Sequence, residues 1–333
     1  MELRRVQEVG GGTAMVSLPK AWAARNGIRK GTLISIQEGS ADRLVLAPFS
    51  GEREMNQATL AFNPNEQRRL LGEITGFYLL GYDVIKIQGS ERVSYDVREA
   101  IKGAMSHLVG LEIVEEDAYS ITTQFLLDSS NLAPSKIFRR MHSIVNGMQA
   151  DIVTSLVEGD KRMMKVIPDR DDEVDRLYFL LVRTIRSAVI DPMLAARYSI
   201  SQIDCLDFRV AANVLESIGD TNVSMAKIIM ELPHPIELTK TLGVSVLEIN
   251  QLLVRMLDLG LDSLLSKNAD NARETVISYN RFSKGISSLR EKASSELSSD
   301  IGPLNGILDG MSRIAQSSVD IADLSVPFYP VVR

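Results

Sequence analysis

The pattern of apolar positions changes twice along the chain and divides it into three parts. Residues 1–48 contain short alternating runs around a short helical segment, which predicts half-buried strands. Residues 57–128 combine strand-like runs with two apolar-periodic helices in the order βαβαββ, which predicts a small α/β domain. From Pro134 onward, apolar residues recur almost throughout at spacings of three and four, the period of amphipathic helices.

The C-terminal part is predicted to hold two groups of three long helices. Leu232–Pro235 contains two prolines and is a strong break between the groups. Val166-Ile167, before the second helix of the first group, matches Val276-Ile277 in the second group, which indicates duplication of a three-helix unit. Amphipathic helices of this length pack antiparallel, so we predict three-helix bundles over residues 133–232 and 236–325.

Composition restricts the class of protein and the kinds of site. No segment has the ~18 or more uninterrupted apolar residues of a membrane-spanning helix, and the N-terminal residues lack an apolar signal region. Cys205 is the only cysteine, which excludes an intramolecular disulfide framework. We therefore expect a cytoplasmic protein without membrane insertion. The three histidines are scattered, so any metal site must depend on carboxylates.

Charge is unevenly distributed between the two ends of the chain. Residues 1–50 carry seven basic and four acidic side chains, although the whole chain has a net charge of −6. A basic end on an acidic body suits contact with the phosphate backbone of double-stranded DNA. The candidate DNA contacts are Arg4, Arg5, Lys20, Arg25, Arg29 and Lys30.

The first 48 residues resemble the AbrB/SpoVT family of swapped-hairpin DNA-binding domains. The resemblance is carried by Ser17-Leu18-Pro19-Lys20, Trp22, Gly27-Ile28 and Lys30-Gly31. It implies an N-terminal swapped-hairpin β domain that binds DNA as an obligate homodimer, with hairpins of two chains interleaved. Thr32 departs from the acidic residue that this family usually has after the glycine.

Two pairs of carboxylates stand out in the first predicted bundle: Asp171 with Asp175, and Glu216 with Asp220. Residues four apart share one face of a helix, and an antiparallel helix pair can bring two such faces together. Four carboxylates around one point repel each other unless cations neutralise them. Oxygen ligands suit Mg²⁺ and Mn²⁺ and can hold iron. The alternative is that these acids are solvated surface residues, because this spacing is common.

Residues 133–325 resemble the PhoU family of phosphate-uptake regulators. The residues that carry the resemblance are Asp171–Asp175, followed by Leu177, and Leu215–Asp220 with Asn222 and Val223. It implies tandem three-helix bundles, each with a carboxylate metal motif, and a phosphate transporter ATPase or a sensor kinase as partner.

The second bundle departs from the PhoU pattern. Matching Val276-Ile277 to Val166-Ile167 places Arg281 and Gly285 where Asp171 and Asp175 stand. Matching Ile314 to Ile218 places Ser312 and Gln316 where Glu216 and Asp220 stand. We therefore predict a divalent metal or iron in the first bundle, no metal in the second, and a role for the second in packing or partner contact.

Two functions remain open from the sequence. The first is a DNA-binding transcription regulator of phosphate uptake, with the bundles as its metal- or partner-responsive input. The second is a PhoU-type adaptor that dimerises through the N-terminal domain and restrains the transporter ATPase or the kinase without binding DNA. An enzyme is not expected, because the four acids lack a companion general base and a substrate-orienting group.

Overall fold

The computed structural model describes residues 2–39, 43–49, 55–62, 67–297 and 301–325. The chain forms two compact units, Met1–Met55 and Asn56–Arg333. Each unit is considered by itself below.

The N-terminal unit consists of two hairpins and one short helix. Strands β1 (Gln7–Val9) and β2 (Thr13–Met15) pair antiparallel, and so do β3 (Ile34–Gly39) and β4 (Arg43–Pro48). Strand β1 begins after Leu3, and strand β2 ends before Leu18. Both strands are therefore shorter than the alternating runs of the sequence. Helix α1 (Lys20–Arg25) lies between the hairpins and has no buried residue.

The apolar side chains of this unit are largely exposed. Five of them are between 63% and 81% exposed: Leu3, Val6, Leu33, Ile36 and Leu44. Trp22, the only tryptophan of the chain, is half-buried. The described residues of this unit therefore do not enclose a core of their own. Interleaving of its hairpins with those of a second chain stays a prediction.

The second unit begins with the α/β domain, in the predicted order βαβαββ. Its elements are β5 (Gln57–Phe62), α2 (Gln67–Leu79), β6 (Val84–Gly89), α3 (Tyr95–Ser106), β7 (Leu111–Glu116) and β8 (Ser120–Phe125). The sheet order is β5-β6-β8-β7, with β5 and β6 parallel and the other pairs antiparallel. Ile85, Ile87 and Ile121 are buried in its core.

Two three-helix bundles follow. The first contains α4 (Pro134–Glu158), α5 (Ile167–Ile190) and α7 (Gln202–Glu231), and the second contains α8 (Lys240–Ser266), α9 (Ala269–Glu296) and α10 (Ile301–Asp323). The apolar period did not predict the short helix α6 (Pro192–Tyr198). It begins because the Asp191 side chain accepts from the backbone N–H of Met193 and Leu194, with Pro192 in the first turn.

Local signals fix the ends of the helices that form the first bundle. Helix α4 stops at Gly159, whose φ of +73° is the left-handed conformation that terminates many helices. Pro168 lies in the first turn of α5, where its missing N–H has no intrahelical partner. Ser201 and Asp204 form a capping box at the start of α7.

The buried positions of the two bundles reveal the register of the duplication. The same spacing of buried residues recurs in α5 and α9: Val174, Leu181 and Ile185 correspond to Phe282, Leu289 and Ala293. A second match relates α7 to α10: Leu215, Ile218 and Asn222 correspond to Met311, Ile314 and Ser318. The predicted placement of Ser312 and Gln316 opposite Glu216 and Asp220 is consistent with the second match.

The buried positions favour a placement of Arg281 and Gly285 that differs from the predicted one. The burial register pairs Asp171 with Tyr279 and Asp175 with Ser283. Arg281 is exposed, and a Cβ atom on Gly285 would lie 3.4 Å from Ile249 of α8. The second bundle therefore lacks the four carboxylates in the corrected register too.

Arg183 of α5 connects the first bundle to the α/β domain. Its guanidinium is buried and donates to the backbone carbonyls of Tyr78 (2.7 Å) and Tyr82 (2.8 Å). It also pairs with Asp83 at 3.4 Å and lies 3.9 Å from the centre of the Phe125 ring. The α/β domain is thus fixed to the helix that carries Asp171 and Asp175.

Among the described residues, no helix is long and apolar enough to span a membrane.

Candidate carboxylate site of the first bundle

Helices α5 and α7 bring the four predicted carboxylates together. Asp171 and Asp175 lie on α5, and Glu216 and Asp220 lie on α7. Burial, together with the negative charges of Asp175, Asp220 and Glu216 in that order, raises the pKa of Asp171 to about 7. The charges of the other three acids act on Asp171, so the four carboxylates lie near one another. That they form one metal site stays a prediction.

Two more of these acids share this environment. Burial raises the pKa of Asp175 and of Glu216, and the charge of Asp220 adds to the increase in both cases. The cluster therefore holds more negative charge than its surroundings neutralise, which is the condition under which a cation binds.

Gly219 lets α7 approach α5 closely at the centre of the cluster. A Cβ atom on Gly219 would lie 2.4 Å from Oδ1 of Asp171, so any larger residue would displace that carboxylate. Oδ1 of Asp171 is buried and has no hydrogen-bond partner. A buried carboxylate oxygen normally has one, so this atom is a candidate ligand for a cation.

Carboxylate oxygens are suitable ligands for a metal ion, but the four side chains do not converge on one point. Within the described ranges, no three His, Cys, Asp or Glu side chains are placed so that they could hold one ion. The metal site thus stays a prediction, and binding would require the carboxylates to rotate towards each other.

The region that contains this cluster matches a known protein family. The family model described as PhoU domain matches residues 138–229, a range that includes all four carboxylates. Residues 138–229 are thus similar to a PhoU domain. The match does not extend to residues 1–48, so the AbrB/SpoVT likeness stays a prediction.

Solved PhoU structures are similar to this chain at low sequence identity. The crystal structure of PhoU from Pseudomonas aeruginosa is 17% identical, covers 60% of this chain and 96% of its own, and has a TM-score of 0.48. The phosphate transport system regulatory protein PhoU from Streptococcus pneumoniae is 16% identical, covers 58% of this chain and 91% of its own, and has a TM-score of 0.49. No curated protein matches the chain.

The region that the PhoU model matches also contains an arginine that the sequence analysis did not single out. Arg209 of α7 donates to the hydroxyl of Tyr178 on α5 at 2.8 Å and lies 5.2 Å from the centre of that ring. Its positive charge opposes the increase in the pKa of Glu216. The sequence offered one signal for this arginine: it lies two helical turns before Glu216, on the same face of the helix.

The predicted DNA contacts are all exposed, but the side chain of one of them already has partners. Arg5, Lys20, Arg25, Arg29 and Lys30 are exposed, and Lys20 and Arg25 share α1. Arg4 is hydrogen-bonded to Ser17 at 3.0 Å and paired with Glu2, so it is less available to DNA than predicted. The sequence could not show this pairing, because Ser17 lies on the other side of the first hairpin.

Proposed function

We propose that this chain regulates phosphate transport and that its PhoU domain is the input. The observation that supports the proposal is the clustering of Asp171, Asp175, Glu216 and Asp220 between two helices of that domain. The buried, unpartnered oxygen of Asp171 marks the cluster as a site for a ligand of opposite charge. In this proposal the chain acts in the cytoplasm, where transporter ATPases and sensor kinases present their soluble domains.

The four carboxylates would hold a divalent metal or iron. A bound cation would neutralise their mutual repulsion and cross-link α5 to α7. Asp171 and Asp175 would supply ligands from one helix, and Glu216 and Asp220 from the other. Since α5 also carries Arg183, any adjustment of α5 on metal binding would reach the α/β domain directly.

The partner of this regulator would be a phosphate transporter ATPase or a sensor kinase. We expect the purified, metal-loaded chain to bind one of these proteins from its host, because a cross-linked α5–α7 pair presents one defined surface. The variant D171N/D175N/E216Q/D220N should bind at least ten times more weakly in biolayer interferometry. The control D172N, on the exposed side of α5, should bind as the wild type does. If the quadruple variant binds the partner as tightly as the wild type does, the carboxylate cluster has no part in partner binding.

A second candidate function is DNA binding, which the N-terminal unit favours. Its exposed basic side chains suit phosphate-backbone contacts, which give affinity and salt dependence but little sequence information. Its exposed apolar faces suit burial against a second copy of the chain, as a homodimer. Ligand binding at the bundles would then shift the population of the DNA-binding form.

Charge reversal separates the two functions. The variant K20E/R29E should lose promoter retention in gel-shift assays, because each reversal replaces attraction to a backbone phosphate by repulsion. Binding to the ATPase or the kinase should be unchanged. The matched control R281E/K284E reverses two exposed charges of the second bundle and should retain DNA. If the wild type fails to retain promoter DNA at low salt, the DNA-binding function is rejected and the adaptor function remains.

A further inference from the structure

A cavity of about 320 Å³ lies where the α/β domain meets helix α5 of the first bundle. Its lining comes from the C-terminal half of α3, from the loop at residues 108–110, from the start of β7 and from Arg176 of α5. Small-molecule sites have volumes of about 300–1,000 Å³ and often form between domains. None of the four acids of α5 and α7 lines this cavity, so it is separate from the carboxylate cluster.

The loop at residues 108–110 is held in place from two sides. The Tyr78 hydroxyl donates to the Val109 carbonyl at 2.9 Å, and the backbone N–H of Leu126 donates to the Gly110 carbonyl at 2.8 Å. Gly110 has a φ of +82°, a conformation that residues with a side chain rarely adopt. The cavity is therefore formed before any ligand binds, which lowers the entropic cost of binding.

Several hydrogen-bond donors at the cavity remain free for a ligand. In the described part of the chain, the backbone N–H groups of Val109 and Gly110 donate to no acceptor, and the Arg176 guanidinium forms neither a hydrogen bond nor an ion pair. Lys102 pairs with Glu99 at 3.1 Å on the exposed surface, where solvent screens the attraction. An anionic group in the cavity can therefore use these donors and charges.

The lining of the cavity matches an anion with a single charge. Lys102 and Arg176 contribute two positive charges and Glu112 one negative charge, which leaves a net charge of +1. A monocarboxylate neutralises this charge, whereas the second negative charge of a phosphate monoester would remain without a partner. Met105 and Leu108 are buried and also line the cavity, and their apolar surface suits a short hydrocarbon body.

We propose that this cavity binds a small organic monocarboxylate and that the α/β domain is thereby a second input of the chain. The site needs no metal ion, so the inference is independent of the proposed function. Arg176 would donate two parallel hydrogen bonds to the carboxylate, the geometry that a guanidinium favours, and Lys102 would add a second positive charge. Because Arg176 belongs to α5, the ligand would connect the α/β domain to the helix that also carries Arg183.

An NMR titration of this chain with 3-phenylpropanoate, observed on the ligand by saturation transfer, tests the proposal. A chelator is present throughout, so that no metal contributes. We expect the wild type to bind the probe, and R176M to bind it at least about tenfold more weakly, because a charged hydrogen-bond donor is lost. R176K should bind more tightly than R176M, since it keeps the charge. The control R186M removes an exposed arginine of α5 that does not line the cavity and should bind as the wild type does.

Two further probes test the chemical class of the ligand. The uncharged 3-phenylpropanamide should bind the wild type at least about tenfold more weakly than the carboxylate does. Binding of 3-phenylpropyl phosphate that is tighter than binding of the carboxylate would refute a monocarboxylate as the ligand.

The outcomes separate this inference from the proposed function. If the wild type does not bind 3-phenylpropanoate at millimolar concentration, or if R176M binds it as tightly as the wild type, the carboxylate site is refuted. Retention of Mn²⁺ by the same protein in a separate assay without chelator would leave the proposed function standing. Thermal unfolding verifies that R176M and R186M are folded.

Discussion

Asp171→Asn should stabilise the metal-free protein at pH 8 and abolish its stabilisation by metal. The pKa of Asp171 is raised from 3.8 to about 7, so the folded state binds more protons than the unfolded state between these values. The free energy of unfolding of the metal-free wild type therefore falls as the pH rises from about 4 to 7 and is constant above. Asparagine carries no charge, so the D171N protein should not lose this part of its stability as the pH rises.

The size of the effect is limited by solvent. The Asp171 carboxyl is only half-buried, so screening reduces the expected gain at pH 8 to about 1–2 kcal/mol. Urea unfolding with chelator, at pH 5 and pH 8, measures it. Asp172→Asn, an exposed neighbour on α5, is the control and should change stability by less than about 0.5 kcal/mol. A less stable D171N protein at pH 8 would show that the cluster is not under repulsion.

Arg183→Met should destabilise the second unit more than any exposed substitution. The change removes the Arg183 guanidinium from buried Asp83 and removes its hydrogen bonds to the Tyr78 and Tyr82 carbonyls. Removal of one partner of a buried ion pair costs about 3–5 kcal/mol. Methionine keeps most of the apolar contact with Phe125. The loss of stability therefore measures the contribution of the Arg183 charge and its hydrogen bonds.

The measurement is urea unfolding, combined with limited proteolysis of the α/β domain. We expect cleavage within residues 67–125 to be faster in R183M than in the wild type, because the domain loses its attachment to α5. Arg176→Met replaces an exposed arginine on the same helix and serves as the control. A loss below about 1 kcal/mol would mean that Arg183 is dispensable and that apolar contacts alone hold the α/β domain.

The sequence predicted the parts of this molecule that depend on local periodicity. The long helices and the order βαβαββ follow from spacings within single elements, and so does the shared helix face of each carboxylate pair. The antiparallel pairing of α5 with α7 was the one tertiary step required, and two connected amphipathic helices make it a strong expectation.

The missed features depend on contacts between distant parts of the chain. Arg183 and Asp83 are a hundred residues apart, and Arg209 and Tyr178 lie on different helices, so no local pattern marks either pair. The predicted register of the duplication depended on two matching residues, whereas the buried positions of whole helices become visible only in the structure. Helix α6 is too short to display a period.

The N-terminal unit shows a different limit of prediction from sequence. Its alternating pattern correctly indicated strands, but Leu33, Ile36 and Leu44 are more exposed than the half-buried strands that the pattern predicts. Their burial requires something beyond the described residues of this unit. A second copy of the chain is our proposal, and the pattern of one sequence cannot distinguish a partner chain from another part of the same chain.

Phosphate uptake in the host tests the central claim most directly. A strain without this gene is complemented with the wild type, with D171N/D175N/E216Q/D220N or with the control D172N, and uptake of radiolabelled phosphate is measured after growth in excess phosphate. We predict that the wild type and D172N restrain uptake equally, whereas the quadruple variant, expressed at the same level, leaves it as high as in the deletion strain. Full restraint by the quadruple variant, or unchanged uptake on deletion, would contradict the account.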